Sequence, residues 1–238
     1  MKKISCTSCL TTQCFIQQCC SREWIQKADE KKIQILFKKN QNIINEGIPV
    51  QGIHFIQKGK VKVFFTGLND KPQIVRFAND GHILGHRSLG TNDRYPITAT
   101  AMENSLICII DNETLNQIFL NNNKLAIGLM EFYSRELRKA EERIKNLTQM
   151  NLREKIAYVL ISLYENFGLN EQNELNVLFT REDIACTAGT SAPMVSSQLK
   201  LFETEKLIKK QGAKTIALLN PAKLKKIVSE HNPHLITE

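Results

Sequence analysis

Five of the seven cysteines fall in one short stretch, CTSCLTTQCFIQQCC at residues 6–20, and the other two, Cys108 and Cys186, stand far from it. Cys6, Cys9 and Cys14 follow a C-x2-C-x4-C spacing, and Cys19 and Cys20 are adjacent. Thiolates are soft, charged donors that hold metal, and thiols also cycle through reversible oxidation. The start, MKKISCTSCL, has two lysines but no apolar stretch behind them, so it does not read as a secretory signal. The expected setting is a reducing cytoplasm, where crowded cysteines bind metal or sense redox state rather than form structural disulfides. A zinc site of this class ordinarily takes two C-x2-C knuckles, and this chain has one. Taken singly, Cys108 reads as a small buried apolar side chain and Cys186 as core.

A second chemistry lies at the C-terminal end, in FTREDIACTAGTSAPMVSSQLKLFETEKLIKKQGAKTIALLN, residues 179–220. Thr180 before Arg181-Glu182-Asp183 is an N-cap with acids in the first turn. The helix it opens runs to about Ala188 and stops at Gly189, a residue that a tight corner accepts. Ser191 opens a second helix, with Pro193 in its first turn, where the missing N–H is harmless. That helix extends through MVSSQLKLFETEKL, burying Val195, Leu199 and Phe202 and turning Ser196, Ser197 and Lys200 outward. LIKKQGAKTIALL follows as two short strands about Gln211-Gly212, a hairpin tipped by Lys209, Lys210 and Lys214. Helix, turn, helix and hairpin make a winged helix-turn-helix, whose second helix enters a major groove. The expected contacts to DNA are Thr180, Arg181, Ser191, Ala192, Pro193, Ser196, Ser197, Lys200 and the three wing lysines. The chain's 32 Lys and Arg against 24 Asp and Glu, a net charge of +8, favour a polyanionic partner. The plainer alternative is a small α+β domain that binds protein.

These groups need elements to hold them. Residues 40–110 read as β: Gly47, Gly52, Gly59, Gly67, Gly81, Gly85 and Gly90 punctuate short apolar runs at turn spacing. KVKVFF alternates, placing Val61, Val63 and Phe65 on one face, and QIVRF and SLICII are further strands, which points to an antiparallel barrel or jelly roll. After Asn121-Asn122-Asn123 the texture turns helical. Met130, Tyr133, Leu137, Ala140, Ile144 and Leu147 recur at 3-4-3-4-3, the seam of a dimeric coiled coil, with packing on the chain's own barrel as the alternative. LREKIAYVLISLYENFG is a further helix, with Ile156, Val159, Leu160 and Leu163 on one face and Gly168 as its C-cap. The division is a cysteine-rich segment (1–24), a sensor β-roll (25–123), a dimerisation helix (124–150) and the DNA-binding domain (151–238). No run of eighteen apolar residues exists, so no membrane span or membrane partner is expected.

In that order, with IPVQGIHFIQKGKVKVF as early roll strands and FTREDIACTAGTSAPMVSSQLKLFETEKLI as the reading motif, the chain resembles the CRP/FNR superfamily of bacterial transcription regulators. The likeness spans residues 25 to 225 or so. It implies an α+β fold with an N-terminal cyclic-nucleotide-binding-like β-roll, a long dimerisation helix and a C-terminal winged helix-turn-helix. It also implies a cytoplasmic homodimer, an inverted-repeat duplex DNA operator, and RNA polymerase as a further partner. Members that bind cyclic nucleotides carry a G-E-x…R-[ST]-A cassette, and the matching stretch here is GHILGHRSLGTNDRYPITATA. His86 follows Gly85 where the glutamate would be, and Tyr95-Pro96 replaces the arginine and its hydroxyl partner. Arg87 and Arg94 are near but out of register, so the effector pocket is degenerate and cyclic AMP is not expected. The FNR branch holds a [4Fe–4S] cluster on three N-terminal cysteines and one strand cysteine, which implies Cys6, Cys9, Cys14 and Cys108 here. The gap between Cys9 and Cys14 is one residue shorter than usual, and Cys19 and Cys20 are extra, which leaves them as alternate ligands. Zinc, thiol redox chemistry, or no cofactor with an unknown small ligand in the roll are the other readings. A more distant one is a cupin-like metal-dependent barrel enzyme using His82 and His86, although H-x3-H is not the cupin spacing. His54, His231 and His234 are the only other histidines it could recruit. On the reading helix Ala192-Pro193 and Ser197 occupy positions where relatives often place Glu and Arg, so no half-site sequence is implied.

Overall fold

The N-terminal cysteine segment folds onto the roll before the first strand begins. A short 3-10 turn at Cys6–Ser8 leads to α1 (Phe15–Cys19) and α2 (Arg22–Lys31), which carries the chain through residue 24. A computed structural model describes residues 3–88, 94–212 and 214–229, so Gly90, His231 and His234 lie outside the described residues. Two units result: Met1–Thr66 with Arg76–Leu137, and Gly67–Val75 with Arg138–Glu238.

The β-roll is built on β1 (Ile33–Phe37), β2 (Asn42–Ile44), β3 (Gly52–Lys58), β4 (Val61–Thr66), β5 (Pro72–Ala78), β6 (Ile83–Leu84), β7 (Thr98–Ala101) and β8 (Ser105–Asp111). They form two four-stranded sheets, in the orders β1-β8-β3-β6 and β2-β7-β4-β5. Strand β8 runs between β1 and β3, so Cys108 stands opposite Gln34 on one side and Phe55 on the other. The two strands approach closely at Gly52, where a Cβ would lie 2.1 Å from the Ile110 carbonyl oxygen and φ is +151°. Only glycine fits there. Ile53, Phe55, Ile83 and Ile110 share a core with Ile16 from α1 and Ala28 from α2. The cysteine segment is therefore anchored by apolar burial and does not trail as a free tail. Val61 and Val63 are buried as their alternation requires, but Phe65 is 40% exposed. It lies beyond Phe64, the last residue of β4 paired with β7.

Helix α3 (Asn112–Asn121) starts on Asp111, whose side chain accepts the Thr114 N–H at 2.7 Å. Helix α4 (Asn123–Gln149) is the long one. Its expected seam divides in two. Met130, Leu137 and Ile144 are 72%, 62% and 65% exposed, whereas Tyr133, Ala140 and Leu147 are partly buried within their own chain. Tyr133 leaves the seam because its ring packs on His86 and its hydroxyl donates to the His86 carbonyl oxygen.

In the second unit α5 (Leu152–Phe167) is held by a capping box between Asn151 and Glu154 and ends at Gly168. Its buried face is Ile156, Val159, Leu160 and Leu163. Helices α6 (Arg181–Ala188) and α7 (Ala192–Thr204) follow, then β9 (Ile208–Lys210) paired with β10 (Ile216–Leu218), and α8 (Pro221–Val228). Helix α7 stops at Thr204, short of the expected end, because Lys206 adopts φ +57° and turns the chain into β9.

Candidate functional site

The reading head is assembled by local chemistry. Thr180 Oγ1 accepts the Asp183 N–H at 3.0 Å, and the Asp183 carboxylate accepts the Thr180 N–H at 2.8 Å. The corner is made by Gly189 in the left-handed region (φ 65°, ψ 45°), which closes α6. Ser191 is the N-cap of α7 but makes no side-chain capping bond, and Pro193 sits in the first turn. Val195, Leu199 and Phe202 are buried, while Pro193, Ser197 and Lys200 are exposed and Ala192 is half-buried.

Several expected contacts are otherwise engaged. Thr180 spends its hydroxyl on the cap, and Arg181 is half-buried. Ser196 is half-buried and donates to the Ala192 carbonyl at 2.9 Å, so it does not face out freely. On the wing, Lys209 and Lys214 are exposed, but Lys210 pairs with Glu203 at 2.7 Å. Cys186, expected in the core, is half-buried, with its sulfur 3.7 Å from Glu182 Oε1. Arg153, which no sequence signal marked, grips both carboxylate oxygens of Glu205 at 2.6 and 2.7 Å and fixes α5 to the end of α7.

The N-terminal cysteines meet the strand cysteine. Cys6, Cys9, Cys14 and Cys108 line one partly open cavity, together with Lys32, Gln57 and apolar residues. Asp29 of α2 accepts from Ser5 Oγ at 2.6 Å and from the Cys6 N–H at 2.8 Å. Thr11 Oγ1 donates to the Gln57 carbonyl at 2.7 Å, and Gln17 to the Cys6 carbonyl. Burial pushes the thiols of Cys6, Cys14 and Cys108 up. At Cys6 the Lys32 ammonium works against it. Cys19 and Cys20 do not line this cavity. Cys20 packs on the roll core, and burial, with Cys19 and Cys14 nearby, pushes its thiol up to about 12. Cys19 lies against α4, its sulfur 2.6 Å from where a Cβ on Gly128 would stand. Among the described residues, no three His, Cys, Asp or Glu side chains are grouped to hold a single metal ion.

The degenerate effector pocket is nearly filled. Gly85, His86 and Arg87 line it with Arg76 and apolar residues. His86 opens a 3-10 turn at His86–Ser88 but is no surface histidine: it is 3% exposed and edge-on to Phe132, with ring centroids 4.9 Å apart. Burial, with Arg76 and Arg87 adding to it, pushes its pKa down to about 2. Arg76, unmarked in the sequence, is neutralised by Glu136 at 3.2 Å and donates to the Ile83 carbonyl at 2.5 Å. Tyr95 is buried, and its hydroxyl donates to the Gly52 carbonyl at 2.7 Å while accepting the Gln51 and Gly52 N–H groups. Pro96 faces solvent, and Arg94 is exposed and bonded to the Gly47 carbonyl at 2.6 Å. His54 is buried as well, and His82 Nδ1 accepts the Asn79 N–H at 3.3 Å.

Comparison with known proteins agrees with this architecture. Residues 34–122 match the family model of the cyclic nucleotide-binding domain, and residues 154–227 that of the Crp-like helix-turn-helix domain. The fumarate and nitrate reduction regulatory protein of Vibrio cholerae is 27% identical over 226 residues, 93% of this chain and 89% of that protein. The transcriptional activator protein Anr of Pseudomonas protegens is 25% identical over 189 residues, 79% of this chain and 77% of its own. The structure of FixK2 from Bradyrhizobium japonicum superposes with a TM-score of 0.73 at 20% identity, covering 82% of this chain and 96% of that one. The first of these is named a regulatory protein and the second a transcriptional activator, and neither supports the metal-dependent barrel enzyme. Among the described residues no helix is long and apolar enough to cross a membrane.

Proposed function

We propose that this chain, which belongs to the CRP/FNR superfamily of transcription regulators, binds an inverted-repeat operator as a homodimer under redox control exerted at Cys6, Cys9, Cys14 and Cys108. The observation that carries the redox part is that these four cysteines, three at the N-terminus and one on β8, line one cavity. Four cysteines and no histidine or carboxylate line the cavity, an all-thiol donor set of the kind that a [4Fe–4S] cluster takes. A cluster is held by cysteine thiolates on separate irons, so it asks for sulfurs spread around a volume. When bound, such a cluster supplies a redox centre whose persistence depends on all four thiolates.

The chain's own residues prepare and report that site. Asp29, Ser5 and Lys32 fix the turn that carries Cys6, while Thr11 ties the loop before Cys14 to β3. Directly after Cys14, α1 packs on α4: Phe15 is edge-on to Phe132 at 6.2 Å, and Cys19 fills the space left by Gly128. Order in the cysteine segment thus bears on the helix whose exposed stripe, Met130, Leu137 and Ile144, needs a partner. On DNA, Ser191, Ala192, Pro193, Ser197 and Lys200 of α7 face the major groove, and Lys209 and Lys214 contact phosphate. Cyclic nucleotide is not the signal, because His86 lines what is left of the pocket, Arg76 is committed to Glu136, and the Tyr95 hydroxyl is committed to the Gln51 and Gly52 backbone.

Anaerobic reconstitution with ferrous iron and sulfide tests the reading. The wild type should turn brown, with iron and sulfide in near-equal amounts, and Cys108→Ser should stay colourless and bind operator more weakly. A colourless wild type whose DNA affinity is the same with and without oxygen would end the redox reading and leave the regulator.

A further inference from the structure

The four sulfurs are not equivalent in what surrounds them. Cys108 Sγ meets neutral amides, Gln34 Nε2 and Gln57 Oε1, both at 3.5 Å. Cys6 Sγ meets a cation, with Lys32 Nζ at 3.1 Å. Lys32 is 5% exposed, which is rare for a lysine, and a buried ammonium is costly unless each proton finds an acceptor. Here the three find Cys6 Sγ, the Ile4 carbonyl at 2.8 Å and Asp29 Oδ1 at 2.8 Å. Asp29 lies in the last turn of α2 and Lys32 is its C-cap, so the pair is built into one helix end. A neutral side chain would suffice to tether backbone, as Gln34 does where it donates to the same Ile4 carbonyl at 3.1 Å. The charge neutralises the Asp29 carboxylate and bears on the thiols of Cys6 and Cys108.

We propose that Lys32 is a positioning residue of the cysteine site: it clamps the Cys6 turn to α2 and sets a fixed positive charge against the Cys6 sulfur. The charge half of this rests on the iron–sulfur reading above; the clamp half does not. Net charge and hydrogen bonds to the ligand sulfurs are among the factors that set the reduction potential of an iron–sulfur centre. A cation bonded to one ligand sulfur favours the state holding one more electron, so Lys32 raises that potential. It thereby makes the site harder to oxidise than a neutral side chain at position 32 would.

The test uses full-length wild type, Lys32→Met, Lys32→Gln and Lys32→Arg, each reconstituted with ferrous iron and sulfide and each also studied metal-free. In the reconstituted proteins the midpoint potential should fall in both neutral variants by at least a tenfold change in the one-electron equilibrium, about 59 mV, and return in Lys32→Arg. In the metal-free proteins, amide exchange over residues 4–9 should speed up at least tenfold in Lys32→Met. Lys32→Gln, which keeps a hydrogen bond without the charge, should protect those amides while still lowering the potential. Wild-type potential and wild-type protection in all three variants would overturn the proposal. If the wild type takes up no cluster, the iron–sulfur reading fails on its own. Amide exchange then decides the clamp: faster exchange in Lys32→Met upholds it, and unchanged exchange rejects it.

Discussion

His86 and His54 are buried in the roll, and burial holds their pKa at about 2 and about 4, below the ordinary imidazole value of about 6.5. Arg76, paired with Glu136, and Arg87 are the charged groups whose influence reaches His86, and Phe132 and Tyr133 cover it from α4. A depressed folded pKa means the unfolded chain takes up the proton first. The native state is therefore fully favoured above about pH 6.5 and loses stability as pH falls below it. Each histidine contributes a slope of about 1.4 kcal/mol per pH unit, ending near pH 4 for His54 and continuing below that for His86. His86→Phe should remove one such slope: urea midpoints measured from pH 6.5 to 4.5 should fall less steeply than in the wild type. Parallel curves would mean that His86 is hydrated and titrates normally in the native state. At this scale the legible residues were those with spacing rules. Cysteines in series announce a site, and Tyr95-Pro96 announce a lost one. Lys32, Arg76 and Glu136 obey no spacing with the groups they serve, because the fold brings them there from separate elements.

Helix α4 shows what a heptad can and cannot say. The 3-4 repeat from Met130 to Leu147 lies within α4, but it could not tell a seam facing a second chain from one facing the roll. Both are apolar, and the difference lies in Tyr133 and His86, forty-seven residues apart in sequence. The exposed half, Met130, Leu137 and Ile144, repeats every seven residues, the interval that returns to one face of a supercoiled helix. Leu137→Asp should therefore give a monomer in sedimentation velocity while keeping thermal stability within about 0.5 kcal/mol, since the side chain is largely exposed in its own chain. Tyr133→Phe should do the opposite, keeping the dimer and losing about 1 kcal/mol with the bond to the His86 carbonyl. If Leu137→Asp unfolds the protein and leaves the survivors dimeric, the stripe is core and the interface lies elsewhere. The strands were legible because glycines mark turns and apolar alternation marks faces. The short helices α1, α2 and α3 were not, since with at most ten residues each they hold too few turns for a helical repeat to stand out.

For the whole molecule, a net charge of +8 is a statement about association, and where the charge sits decides what it does. Each phosphate neutralised releases condensed counterions, so operator affinity should fall steeply with salt, by about 10³–10⁵ between 50 and 200 mM if six to ten phosphates are contacted. The operator should be an inverted repeat with half-site centres about 34 Å apart, one turn of duplex, because a two-fold dimer sets its two α7 helices in successive major grooves. The wing lysines should not contribute alike. Lys209 and Lys214 are exposed, whereas Lys210 pairs with Glu203 at 2.7 Å, and the hydrogen bonds from Lys210 hold the Glu203 carboxyl below its usual range. A cation already paired brings little net charge to a phosphate, so it displaces few counterions. Substituting Lys209 or Lys214 by Ala should thus lower the slope of log K against log salt by about one unit for each phosphate no longer neutralised. Lys210→Ala should change it by much less, and Glu203→Gln, which frees Lys210, should steepen it. Fluorescence anisotropy on one palindromic duplex across a salt series reads all four. An equal drop in slope from the three lysines would show that the pair with Glu203 opens on DNA, and no drop from any of them would take the wing off the phosphate backbone.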